Sequence, residues 1–152
     1  MDPNPGYGQQ PWGAGKPITS AFGAVYADWW KRLVAYLIDS VLIWVVSLAF
    51  LLATRGLGFF VAIVGGFAYF TVMIGGPRGQ TVGMMALSIT VRDQATGSAI
   101  GYGRSFLRYL IMVVLGWILF IPLLIDCLWP LWDPNRQAWH DKAASSVVVN
   151  AP

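Results

Sequence analysis

The stretch WWKRLVAYLIDSVLIWVV, residues 29–46, decides the fold of this chain. It opens with two basic residues, Lys31 and Arg32, and continues as an apolar run in which Asp39 is the only charged residue. A helix needs roughly 20 mainly apolar residues to cross a membrane, and the run that reaches Thr54 is long enough. The stretch therefore predicts a transmembrane helix over about 33–54 with a buried carboxylate.

The buried carboxylate of Asp39 needs a physical explanation. On insertion scales a carboxylate at the centre of a membrane helix costs about 2.5–3.5 kcal/mol unless it is neutralised, paired or hydrated. Arg32 lies on the same helix face, about 10 Å away along the axis, but its side chain leans toward the headgroups. We therefore expect no direct ion pair between them, and a water or a basic group of another segment as the partner of Asp39.

The composition predicts a small integral membrane protein. Of the 152 residues 57% are hydrophobic and 11% are charged, and the mean hydropathy is +0.60. One Cys and one His cannot form an intrachain disulfide or a thiolate-rich metal site, so we expect no metal and no cofactor. The net charge of +3 is expected to set topology and to contact anionic lipid of the bilayer, and no nucleic-acid partner is predicted.

The chain divides into a tail and a membrane domain. Residues 1–24 are rich in Pro and Gly and predict a disordered tail, whereas residues 25–150 predict the domain. A second uncharged run predicts a span over 56–76. Basic residues flank the two spans on one side, and only Arg55 lies in the turn on the other side. The positive-inside rule then predicts a multi-pass protein of the cell membrane with a cytoplasmic N-terminus.

The insert over 77–104 is polar and rich in glycine. Within it Leu87, Ile89 and Val91 alternate with polar residues, which is typical of a half-buried strand, and a turn is expected over 93–97. The predicted fold class is therefore an all-α integral membrane protein with two transmembrane helices, a third apolar segment and a short β-hairpin-like cytoplasmic insert.

The third apolar segment, about 105–132, permits two interpretations. Gly116, Pro122 and Asp126 interrupt it. As one tilted helix it spans the membrane and leaves the polar C-terminal tail, 133–152, outside. As a re-entrant turn near 120–122 it returns the tail to the cytoplasm and places every basic residue except Arg55 inside. Hydropathy favours the span, whereas the charge rule favours the return.

Three separated motifs resemble the RDD family of bacterial membrane proteins, over about residues 26–149. They are Trp30-Lys31-Arg32 through Ala35 to Ile38-Asp39; Gly79-Gln80-Thr81-Val82-Gly83 with Leu87–Asp93, Gly97, Arg104 and Arg108; and Arg136–Lys142 followed by Val147–Val149.

The family takes its name from one arginine and two aspartates. The resemblance assigns the arginine to Arg32 and the first aspartate to Asp39. It assigns the second aspartate to Asp141, with Asp93 as the alternative. Where the family usually has Thr before its closing valines, this chain has Ser145–Ser146. Transport, including exchange of cations for protons, is implied for the family without being general to it.

We expect no enzyme activity, because no nucleophile motif accompanies His140 and neither membrane aspartate has the context of an aspartic protease. Two functions stay open. One is a homo-oligomeric transporter of ions or small solutes that exchanges a monovalent cation for a proton through a membrane aspartate. The other is a non-transporting adaptor that binds a partner through its insert and tails. The candidate ion-site residues are Arg32, Asp39, Asp126, His140 and Asp141. The expected lipid anchors are Lys31, Arg104 and Arg108.

Overall fold

The computed structural model describes residues 19–54, 58–118 and 120–152. The greater part of the predicted disordered tail, residues 1–18, lies outside them. The prediction of disorder is wrong for residues 19–24, which form a turn closed by a bridge between Thr19 and Val25. Phe22 packs in that turn against the small apolar cluster of Tyr26, Val147 and Val149.

Within the described residues two helices are long and apolar enough to cross a membrane. Helix α1 is Trp29–Thr54, with a mean hydropathy of 2.2, and helix α2 is Gly58–Gly75, with 1.9. Residues Val61–Gly65 of α2 form a π-helical turn. The later half of α1 is almost entirely exposed, for example at Trp44 and Leu52. Such a surface is suited to lipid and poorly suited to water.

The third apolar segment folds back on itself. It comprises α4, Gly101–Ile118, and α5, Phe120–Leu128, followed by a 3₁₀ turn, Trp129–Leu131. Arg108 of α4 and Asp126 of α5 both contact His140, although a straight helix would separate them by about 27 Å. The prediction of one continuous helix over 105–132 is therefore wrong. The chain instead folds back between α4 and α5, as the second alternative expects.

The small sheet joins distant parts of the chain. Strand β1, Ile89–Asp93, pairs antiparallel with β2, Ser146–Asn150, so that Val91 faces Val148. The predicted hairpin is therefore wrong, because the partner of β1 comes from the C-terminal segment. The predicted turn over 93–97 is present, closed by a hydrogen bond from Gly97 N to the Asp93 carbonyl. The predicted polar tail is also wrong, since it holds β2 and the short helix α6, Trp139–Ala143.

A short helix that the sequence interpretation missed, α3, Val82–Ala86, lies on α1. Thr81 caps it by accepting a hydrogen bond from Met84 N at 3.2 Å. Gly83 makes the closest approach: a Cβ atom built on it would lie 2.2 Å from the carbonyl oxygen of Ala35. Only glycine allows α3 to approach α1 this closely.

Gly83→Ala should therefore destabilise the fold. The added methyl group collides with helix backbone, and overpacking of this kind costs about 1–3 kcal/mol. Gly103→Ala is the matched control, because a Cβ there meets nothing within 4 Å and the residue lies inside α4. It should raise stability slightly, by about 0.4–1 kcal/mol. Thermal unfolding of both variants in detergent would measure the difference, and equal melting temperatures would contradict the close approach.

Candidate functional site: a buried charged cluster

One carboxylate, that of Asp141, lies between two arginines. Its Oδ2 accepts hydrogen bonds from Arg32 Nη1 at 3.1 Å and from the backbone N–H of Ala138 at 3.1 Å. Its Oδ1 accepts from Arg108 Nε at 2.8 Å, and Arg108 Nη2 lies 2.6 Å away. All three charged side chains are at least nine-tenths buried. This ion-paired triad joins α1, α4 and α6.

The charge of Asp141 depends on its basic neighbours. Burial alone would raise the pKa of this carboxyl group, but Arg108, His140 and Arg32 together hold the pKa at about 2. The side chain is therefore an anion at neutral pH. Arg32 also donates from Nη2 to the carbonyl oxygen of Val148 at 3.2 Å, which fixes β2 to the start of α1.

His140 extends the triad to a second acid. Its backbone N–H donates to Asp126 Oδ1 at 3.1 Å, and its Nδ1 lies 2.5 Å from Asp126 Oδ2. Its Nε2 lies 3.4 Å from Arg108 Nη2 and 3.3 Å from Tyr36 Oη. We call Arg32, Arg108, Asp126, His140 and Asp141 the charged cluster.

Local structure explains how α6 presents two of these groups. The carboxylate of Asp141 accepts the backbone N–H at the start of α6, which places the side chain on the buried face of the helix. Trp129 packs against Trp132 and Trp139, with ring centroids 5.7 and 5.2 Å apart. These aromatic contacts hold α6 against the end of α5.

Asp39 is not part of the charged cluster. It is fully buried, and its carboxylate accepts hydrogen bonds from Tyr69 Oη at 2.7 Å, Thr81 Oγ1 at 2.5 Å and Gly83 N at 2.8 Å. The expectation that a water or a basic group would be its partner is therefore wrong. Three uncharged donors satisfy it, and they fix α2 and the start of α3 to α1.

The predicted lipid anchors are also bound within the protein. Arg108 does not face the headgroups, because it is 3% exposed and lies in the charged cluster. Arg104 pairs with Asp93 at 2.5 Å and donates to the carbonyl oxygens of two residues in the C-terminal segment. This pairing holds the pKa of Asp93 well below its usual range. Lys31 Nζ donates to Asn150 Oδ1 at 3.0 Å.

The sequence interpretation thus placed four members of the charged cluster among its candidates and missed the fifth, Arg108, as a site residue. It also missed Tyr36, Tyr69 and Thr81 as polar partners. A signal existed for Thr81, since threonine just before a short apolar run is a common helix cap. In the described part of the chain, no group of three or more His, Cys, Asp or Glu side chains could hold a metal ion.

Asp141→Asn should be strongly destabilising. The change removes the one carboxylate shared by two buried guanidinium groups, and breaking a buried pair in this way costs about 3–5 kcal/mol. The matched control is Asp28→Asn, which breaks the exposed pair with Arg136 and should cost less than about 1 kcal/mol. Thermal unfolding in detergent would compare the two variants. Similar losses would show that the triad contributes no more than a surface pair.

The same carboxylate predicts how stability depends on pH. Its pKa in the folded protein is about 2, below the unfolded value of about 3.9. The stability that it contributes should be complete above about pH 5 and should be lost as the pH falls toward about 2. Melting curves of the parent protein and of Asp141→Asn should therefore converge in acid. A constant difference between them would contradict the low pKa.

Comparison with known proteins gives this site a family context. The model of the RDD family matches residues 26–145. A proline-rich antigen homolog of Mycobacterium tuberculosis (strain CDC 1551 / Oshkosh) is 36% identical over 89 residues, which cover 57% of this chain and 35% of that protein. The proline-rich antigen of Mycobacterium leprae (strain TN) is 34% identical over 77 residues, which cover 49% of this chain and 28% of that protein.

The matched region is thus only about a third of the length of these curated relatives. No solved structure matches the chain significantly. The family model extends over most of the chain and includes Arg32, Asp39 and Asp141, so this protein belongs to the RDD family.

Proposed function

We propose that this protein couples proton movement across a membrane to the movement of a monovalent cation or small solute, with the pair of His140 and Asp126 as the route by which the proton passes. The observation that carries the proposal is the charged cluster itself. It links five buried ionisable side chains by contacts of 2.5–3.5 Å in a chain with two candidate spanning helices. Ionisable groups are rare in such surroundings, and they usually mark ion or proton pathways.

His140 is the member of the cluster whose side chain is suited to pass a proton. An imidazole ring can take up a proton at one nitrogen and release one at the other, whereas the guanidinium groups of Arg32 and Arg108 keep their charge. A proton added at His140 Nε2 would place a second positive charge 3.4 Å from Arg108 Nη2. The resulting repulsion would weaken this contact, which gives proton uptake a direct effect on the packing of α4.

Asp39 has a different role in this proposal. Both of its oxygens already accept hydrogen bonds from α2 and the start of α3. Exchange of a proton or cation at this carboxylate would require those donors to separate from α1. We therefore assign Asp39 to the assembly of the domain, in place of the exchange role expected from the sequence.

Backbone pairing supports a topology with both ends on one side. Ala27 N donates to the Val148 carbonyl at 3.0 Å, and Asn150 N donates to the Val25 carbonyl at 2.9 Å. The segment before α1 and strand β2 are therefore neighbours. With the basic residues concentrated at this end, we propose that both segments are cytoplasmic in the cell membrane. Because α1 exposes apolar side chains on nearly every side, we also propose a homo-oligomer that encloses the pathway.

A reporter fused after Pro152 should accordingly behave as cytoplasmic, as should one fused before Val25. The reason is that the hydrogen bonds of β2 cannot form across a bilayer. The measurement uses two reporters at each position, one that is active only in the cytoplasm and one that is active only in the exterior compartment. A reporter after Pro152 that is active only outside would contradict the proposed topology and the charged cluster together.

Vesicles that contain the purified protein test the transport proposal. A gradient of sodium, potassium or lithium should change the internal pH. His140→Asn should abolish this change, because the amide can still donate to Asp126 but cannot take up a proton at neutral pH. Asp39→Asn is the matched comparison, since it removes a buried ionisable group outside the charged cluster, and it should keep the flux. Insertion and melting temperature of both variants are measured in parallel.

The second candidate function is that of a non-transporting adaptor. It is favoured by one observation: Asp39 and Asp141 have closely fitting partners that fix helices together, as purely structural groups would. Parent vesicles that show no pH change under any of the three gradients would count against exchange and favour the adaptor. Flux that survives His140→Asn and is lost with Asp39→Asn would return the exchange role to Asp39.

A further inference from the structure

A cavity of about 30 Å³ lies beside the charged cluster, where the start of α1, helix α4 and the C-terminal segment meet, and it is partly open to the exterior. A cavity needs about 10–15 Å³ to hold one water molecule, so this one admits a group of a few atoms. Its charged lining residues are Arg32, Arg108 and Asp141, and Trp29 and Leu33 belong to its apolar lining.

Two hydrogen-bond donors of the lining residues have no acceptor. Among the described residues, Arg32 Nε and Arg108 Nη1 are buried side-chain nitrogens without a hydrogen-bond partner. The side chains that carry them are 7% and 4% exposed. A buried donor of this kind is unfavourable until it finds an acceptor, more so when it is charged. Both arginines line the same cavity, which points to a shared ligand.

The charge of the lining indicates the chemistry of that ligand. Two guanidinium groups and the one carboxylate of Asp141 line the cavity, whereas Asp126 does not. Two positive charges against one negative charge leave the lining with an excess of positive charge. Its unpartnered groups can only donate hydrogen bonds. An oxyanion supplies both the negative charge and the acceptors, and guanidinium groups bind phosphate and carboxylate well.

The remaining lining is apolar, which indicates that the oxyanion belongs to an amphiphile. Trp29, Leu33 and Pro130 lie beside the charged groups. Trp129 is the residue before Pro130, and it packs against Trp132 and Trp139. Tryptophan concentrates at the headgroup level of membranes, so this end of the domain is suited to lie among lipid headgroups.

We propose that the cavity is a binding site for the oxyanion head of an anionic lipid. Arg32 Nε and Arg108 Nη1 donate to its oxygens, and the apolar part of the lipid follows the side of the cavity at Trp29 and Leu33. The proposal does not depend on transport, because it rests on the unpartnered donors and the cavity alone. It also differs from the expected surface anchoring, since the two arginines are buried and act at one defined site.

The test uses the full chain purified in neutral detergent. Binding is measured by native mass spectrometry and by the shift in melting temperature with phosphatidylglycerol, with phosphatidylcholine and with inorganic phosphate at constant ionic strength. Phosphatidylglycerol should bind in a saturable manner and raise the melting temperature, whereas phosphatidylcholine should not.

Arg32→Lys removes the Nε donor and keeps a positive charge near Asp141. It should weaken phosphatidylglycerol binding about tenfold, which is the effect of losing one charged hydrogen bond. The matched control is Arg136→Lys, the same change in an exposed pair, which should leave binding unchanged. A second variant, Cys127→Leu, adds bulk to the cavity lining without altering a charge, and it should weaken binding as well.

Saturable binding of phosphatidylglycerol that Arg32→Lys and Cys127→Leu both weaken would support the proposal. Equal stabilisation by inorganic phosphate, lost with Arg32→Lys, would support the oxyanion site and overturn the lipid as its ligand. Binding that is the same in all variants, or the same for both lipids, would mean that the cavity holds water only and would overturn the proposal. Melting curves without lipid show that each variant is folded.

Discussion

The ion-paired triad of Arg32, Asp141 and Arg108 is the constraint on which the rest of the structure depends. One buried carboxylate neutralises two buried guanidinium groups, and each charge would be strongly unfavourable without the others. The three residues come from α1, α4 and α6, so the start of the first helix, the start of the third and the C-terminal segment must assemble together. The fold-back of α4 and α5 follows, because Asp126 must reach His140 beside the same triad.

A second set of buried polar contacts, at Asp39, complements the ion-paired triad. Its three donors come from α2, Thr81 and the first turn of α3, and all are uncharged. The side chain of Asp39 is thus held by hydrogen bonds from uncharged groups and that of Asp141 mainly by ion pairs. Both sets of contacts involve a residue in the first half of α1, Arg32 or Asp39. The later half of α1 exposes apolar side chains. The domain is therefore polar and tightly connected at one end and suited to lipid at the other.

This division gives the proposed activities a physical basis. The polar end concentrates ionisable groups, a cavity and tryptophan side chains, whereas the apolar helices contribute surface for lipid or for further copies of the chain. Within the charged cluster the arginines hold fixed charges, and His140 is the side chain whose two ring nitrogens can take up and release a proton. A proton-linked change would begin at His140 and reach α4 through Arg108. The unpartnered arginine nitrogens give the same region the capacity to bind an oxyanion.

The sequence by itself determined the family and the two apolar helices, and it singled out Arg32, Asp39 and Asp141 as candidates, with Asp93 as the alternative to Asp141, because hydropathy and motifs are local properties of the chain. It also located β1 and the turn that follows it. Only the tertiary structure decided the partners: β1 pairs with β2, Arg32 with Asp141, and Asp39 with Tyr69, Thr81 and Gly83. These contacts join residues far apart along the chain, and no periodicity or spacing specifies them. Arg108 shows the physical reason most clearly, since a basic residue one turn after Arg104 has the sequence pattern of a lipid anchor until the C-terminal segment brings Asp141 against it.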